Sequence, residues 1–114
     1  MAYGRKVEFE AVREVAFGGI GAAYAALGTA LTDNARIISI TNATDAEVYI
    51  SFDGVTNHIR LAENSFKIFD LTANKVRDDG YFLANGTQVY QMRVAGAPTV
   101  GSLWVEVITA TGGV

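Results

Sequence analysis

The chain contains no cysteine, a single proline and a single histidine. Without cysteine there is no disulfide framework, no thiolate metal site and no thiol nucleophile. One histidine with no cysteine beside it excludes a zinc site of the usual ligand set, and it leaves a catalytic triad without the partners it needs. Charge is also scarce, at 18% of residues, with 9 basic against 12 acidic residues, and lysine and arginine are scattered singly apart from Arg5-Lys6. No basic stripe exists to track phosphates, so nucleic acid is not an expected partner. No apolar run is long enough to cross a membrane as a helix, since Val15 to Leu31 is interrupted by glycine and small residues. The alternation after Arg5 and Lys6 is not that of a secretory signal either, so a membrane partner is not expected and cytoplasmic synthesis is.

What remains is a chain of 114 residues, half of them hydrophobic. That length fits one domain with a modest core, and so much apolar surface under so little charge favours assembly with other chains.

Periodicity supplies the fold class. From Glu47 to Asp53 the apolar residues Val48, Ile50 and Phe52 alternate with polar ones, which is the pattern of a half-buried strand. The β-branched run Ile37 to Thr41 precedes it, Ile59 to Leu61 and Phe66 to Leu71 follow, and Asn, Asp, Gly and Ser punctuate the gaps. Asp53-Gly54 and Asn85-Gly86 are hairpin signals. Tyr81 to Leu83, Thr87 to Val94 and Ser102 to Thr109 continue the series, with residues 110–114 fraying. The stretch Gly18 to Leu31 reads as extended, because its glycines leave too little room to nucleate a helix. Short strands at this spacing predict an all-β domain over 1–114, an antiparallel β-sandwich of jelly-roll-like type with about eight strands.

The expected core has four rows: Ile38 and Ile40; Val48, Ile50 and Phe52; Phe66 and Ile68; and Leu103, Val105 and Val107. Phe52 and Ile50 are expected to be almost fully buried, and Tyr49, on the opposite face, to be exposed. From Val7 to Phe17 the odd positions are mainly apolar and the even ones mainly acidic. One long strand is expected, lying on a sheet edge or reaching as an arm, residues 1–17, toward a neighbour. Val7, Phe9 and Val15 on that segment, with Tyr49 and Trp104, are the candidate protein-interface residues.

Other residues invite chemistry and receive simpler readings. His58 follows a hairpin and reads as an exposed turn residue. Asp53, Asp70, Asp78 and Asp79 lack the spacing of a calcium loop. Gly18-Gly19-Ile20-Gly21 has no lysine-serine ending and opens no helix, so it reads as a connector rather than a phosphate loop. The sequons at Asn42 and Asn85 arise readily in turns. Trp104, Tyr49 and Tyr90 would suit a sugar platform in a small carbohydrate-binding module, or the core or an interface. No catalytic, metal or cofactor site is expected, and the chain is not expected to be an enzyme.

The succession FGGIGAAYAALGTAL, ARIISITNATDAEVYISFDG, FKIFDLTANK, YFLANGTQVYQMRV and GAPTVGSLWVEVI resembles small virion proteins of tailed bacteriophages. The similarity spans residues 15 to 109 and consists of strand-and-turn patterns. It implies a non-enzymatic β-sandwich component of the particle, present in many copies and homo-oligomeric, that contacts the major capsid protein or other virion proteins. Capsid cement or decoration is the first expectation, and a head-tail connector or tail adaptor the second.

Overall fold

The computed structural model describes residues 6–71 and 83–111. Among them nine strands form two antiparallel sheets: β1 (Lys6–Phe9), β2 (Arg13–Ala16), β3 (Ala25–Ala26), β4 (Ala35–Asn42), β5 (Val48–Ser51), β6 (Ile59–Leu61), β7 (Ser65–Asp70), β8 (Tyr90–Arg93) and β9 (Ser102–Thr111). A 3₁₀ turn, Phe17–Gly19, follows β2. One sheet runs β1-β9-β4-β7 with β2 also on β9, and the other runs β3-β8-β5-β6.

The pairings nest. β5 pairs β6, β4 pairs β7, β3 pairs β8 and β2 pairs β9, as though one long hairpin had been rolled over itself. Two further contacts, β5 with β8 and β4 with β9, close the roll into two layers. This is the jelly-roll order, and it makes the predicted sandwich concrete.

Alternation decides the interior. Ile38 and Ile40 of β4, Val48 and Ile50 of β5, Leu61 of β6, and Leu103, Val105 and Val107 of β9 are all buried between the sheets. Ile20, Leu27, Leu31 and Val89 from the connections, with Ala35 at the start of β4, complete the cluster. Three of the four expected rows therefore face inward as read.

The fourth does not. Phe66 and Ile68 are 62% and 58% exposed. Phe69, two places further from Lys67, pairs with buried Ile38 and packs against the core, whereas Phe66 and Ile68 pair with Thr41 and Ser39 and share their outward face. Both faces of β7 are apolar, so alternation alone left its register open. Phe52 is also less buried than expected. It lies just past the end of β5, packs only partly on the core, and sets its ring 5.7 Å from that of His58.

The N-terminal strand is broken rather than continuous. Lys6–Phe9 and Arg13–Ala16 both pair with β9 of their own chain, so this segment forms a sheet edge. Phe9 lies opposite Ile108 and Arg13 opposite Val105, and the Glu10 N–H donates to the Val107 carbonyl. The N-terminal side thus carries one residue more than β9 does across the same interval, which is a β-bulge. The extra residue inverts the faces. Phe9 points outward with Ile108, while Arg13 and Val15 point inward with Val105 and Leu103, so Phe9 and Val15 do not share the oily face that alternation predicted. The same pairing extends β9 to Thr111, past the expected fraying point, because Lys6 and Val7 supply partners for Thr111 and Ala110.

Candidate functional site

Arg13 is the cation that the bulge turns into the protein. Its Nη2 lies 2.8 Å from Glu10 Oε1, with the two side chains only 5% and 9% exposed. Arg13 Nε donates to the Thr29 carbonyl at 2.7 Å and Nη2 to the Ala30 carbonyl at 3.0 Å. Glu10 Oε2 accepts from the Thr32 hydroxyl at 2.8 Å and from the N–H groups of Thr32 and Asp33. Burial alone would raise the Glu10 carboxyl, but the hydrogen bonds from Arg13 and Thr32 outweigh it and hold the group below its ordinary 4.5. A groove of ≈ 370 Å³ opens beside this cluster. The polar atoms at its centre are spent on fastening the 29–33 connection to the N-terminal edge, which is a structural task. Alternation concealed this pair; the signal was an arginine at an inward position with a glutamate three residues before it.

A second polar cluster orders the β5–β6 loop. Asp53 Oδ1 accepts from the N–H groups of Val55 and Thr56, each at 2.8 Å, and from Ser51 Oγ. The Thr56 and Val55 donors pull the Asp53 carboxyl far below the usual carboxylate range. His58 Nδ1 accepts the Phe52 N–H at 3.0 Å, and Nε2 stands 4.0 Å from Asp53 Oδ2. Gly54, at φ +78°, lies under the Tyr90 ring, so the loop folds back on the outer face of its sheet. Histidine and aspartate here build a turn.

Asp53 belongs to the β5–β6 loop beside the four-stranded sheet and Asp70 to β7 of the five-stranded sheet, and Asp78 and Asp79 are outside the described residues. Among the described residues no three histidine or acidic side chains gather closely enough to hold a metal ion. Asn42 is buried: its Nδ2 donates to the Ala46, Leu61 and Ala62 carbonyls, and its Oδ1 accepts from the Thr44 N–H and hydroxyl. The first sequon is thus a brace between β4 and β6. Gly18 and Gly19 lie in the 3₁₀ turn.

The candidate interface residues separate into groups. Tyr49 is on the outer face of the four-stranded sheet as read, but half-buried rather than exposed, between Arg60 and Met92, and Tyr90 lies on that same face. Trp104 is half-buried on the outer face of the five-stranded sheet, between Glu14 and Thr41. The sandwich stands between them, so Trp104 does not join the tyrosines in one sugar platform. Val15 packs on the chain's own core, whereas Phe9 is 76% exposed. Val7 pairs with Ala110.

The outer face of the five-stranded sheet gathers four exposed apolar side chains, Phe9, Val12, Phe66 and Ile68, together with the half-buried Ile37, Trp104 and Ile108. Phe9 and Val12 come from the N-terminal edge, Ile108 and Trp104 from β9, Ile37 from β4, and Phe66 and Ile68 from β7. A shallow depression of ≈ 400 Å³ lies among Phe9, Val12, Ile37, Ile68 and Ile108, with the Glu106 carboxylate in its lining. Sequence reading named Phe9 and Trp104 as interface candidates without placing them on one face, and put Phe66 and Ile68 in the core. Compared with known proteins, the chain matches no family model, no curated protein and no solved structure.

Proposed function

We propose that this chain is a non-enzymatic structural protein that works by docking, and that its setting is the particle of a tailed bacteriophage, as a capsid cement or decoration component. The observation that carries the docking role is the outer face of the five-stranded sheet. Phe9, Val12, Phe66 and Ile68 are each more than half exposed there, in one continuous area on a chain poor in charge. Soluble monomers rarely leave such a patch uncovered, and its usual meaning is a partner surface. The polar clusters that might have served chemistry, Glu10 with Arg13 and Asp53 with His58, are engaged in holding loops. The resemblance of the strand-and-turn succession to small virion proteins supplies the setting, with the major capsid protein as the first partner and self-assembly as a second contact.

Particle fractionation tests the reading. Co-purification with phage heads in a fixed ratio to the major capsid protein is the expected result. A few copies per particle would move the protein to the neck or tail as an adaptor, and absence from particles would overturn the virion role.

A further inference from the structure

The docking face is acidic as well as apolar. By register Glu14, Glu106 and Asp70 project from it, while Lys67 is turned to the opposite side and Arg36 is taken up by a bulge in β4 with its Nε buried. Glu14 is held by the Ser102 hydroxyl at 2.9 Å. Glu106 is exposed and makes no hydrogen bond or ion pair among the described residues. It lies beside Ser39 at the middle of the sheet and lines the depression that Phe9, Val12, Ile37, Ile68 and Ile108 form.

A carboxylate in such a place selects what can cover it. A purely apolar partner would strip water from Glu106 and return nothing, which is costly for a charge. A partner that sets an ammonium or guanidinium over the depression keeps the carboxylate paired as water leaves. A second copy of this chain fits poorly, because the described residues that project from the face by register include Glu14 and Glu106 and no lysine or arginine. Every face-to-face pairing would then bring like charges together in an apolar interface. We propose that this face receives a protein surface presenting lysine or arginine among apolar side chains, with Glu106 as the anchor for the cation. The proposal takes the docking role above as its premise and names the chemistry of the partner.

The probe is a short peptide of alternating leucine and lysine, titrated into ¹⁵N-labelled protein, with its leucine–glutamate counterpart as control. The expected result is amide shifts confined to β4, β7, β9 and the bulge with the lysine peptide, and none with the glutamate peptide. Glu106→Gln is expected to weaken binding by roughly threefold or more. Glu63→Gln, which changes net charge equally in the turn before β7, is expected to leave it unchanged. Phe66→Ser with Ile68→Ser, at positions already exposed, is expected to abolish it while the spectrum stays folded.

Shifts centred elsewhere, equal binding of the two peptides, or indifference to Glu106→Gln would overturn the proposal. So would sedimentation of the free protein as a dimer that the Phe66 and Ile68 changes dissociate, since a second copy would then be the occupant. Particle loading separates this inference from the setting. Absence from particles with the peptide result intact removes the virion role alone, whereas wild-type loading of Glu106→Gln removes the proposed anchor.

Discussion

Arg13 shows how one side chain fastens several backbone segments. Removing it strands a buried carboxylate, and breaking such a pair costs about 3–5 kcal/mol. Arg13→Met should therefore lower the midpoint of chemical denaturation strongly, with Glu10→Gln costing less because the amide keeps a carbonyl for Thr32. The pH dependence follows from the direction of the Glu10 shift. Its folded form binds a proton less readily than the unfolded chain, so its contribution is complete above the ordinary 4.5 and is lost as pH falls through the lower folded value. Denaturation midpoints of wild type measured from pH 6 down to pH 3 should fall more steeply than those of Glu10→Gln. Gly101 is a second residue with no freedom to change. It has φ +94°, and a Cβ added there would stand 2.0 Å from the Ala43 carbonyl oxygen, so Gly101→Ala must displace the β4–β5 turn.

At the level of the strand, legibility depended on whether the two faces differed. β5 and β9 each have one face made of branched apolar residues alone, Val48 with Ile50 and Leu103 with Val105 and Val107, while Ser51 and Glu106 interrupt the other face, and these faces were plain in the sequence. β4 was plain over Ile38 and Ile40 for the same reason. β7 presents Phe66 and Ile68 on one side and Phe69 on the other, so only its pairing with β4 could choose between them. The N-terminal strand misled for another reason, since a bulge inserts one residue and shifts the phase of a period-two pattern, and the break at Val12 and Arg13 was its only trace within an otherwise continuous alternation. A paired substitution checks the result. Ile38→Ala, at a fully buried site, should cost about 2–5 kcal/mol of unfolding free energy, whereas Ile68→Ala should stay within about 0.5 kcal/mol of wild type. Equal losses at both sites would return β7 to the register first read. The apolar outer face of the five-stranded sheet was hidden with it, because alternation places Phe66 and Ile68 in the core.

For the molecule as a whole, the two-layer class and the strands from Ala35 to Asp70 and at Ser102–Thr109 were readable from punctuation and alternation, while the expected Tyr81 to Leu83 strand falls largely outside the described residues and the order of strands within each sheet was not readable. Which strands become neighbours depends on how the chain rolls up, and no local signal records that. The edge position of β1 and β2 bears on stability. Both pair with β9, and the second contributes Arg13 and Val15 inward, so removing residues 1–16 should expose the β9 edge and yield an aggregating or unfolded product. A soluble, cooperatively unfolding truncated protein, judged by circular dichroism and light scattering, would show instead that the segment is an appendage.

The nested pairings also set an order of events. Glu8 and Thr109 are neighbours across almost the full sequence, and closing such a loop from an unfolded chain is slow. If β5 and β6 meet first, β4 and β7 are brought within a short tether, and each outer pair inherits ends already drawn together by the pair inside it. The roll would then close from its innermost hairpin outward. Stopped-flow chevrons should show Ile50→Val, on the β5–β6 hairpin, slowing refolding, while Val15→Ala, on the outermost pair, chiefly speeds unfolding. The reverse pattern would place the nucleus at the joined edge of β2 and β9, and the molecule would close its longest loop before its shortest.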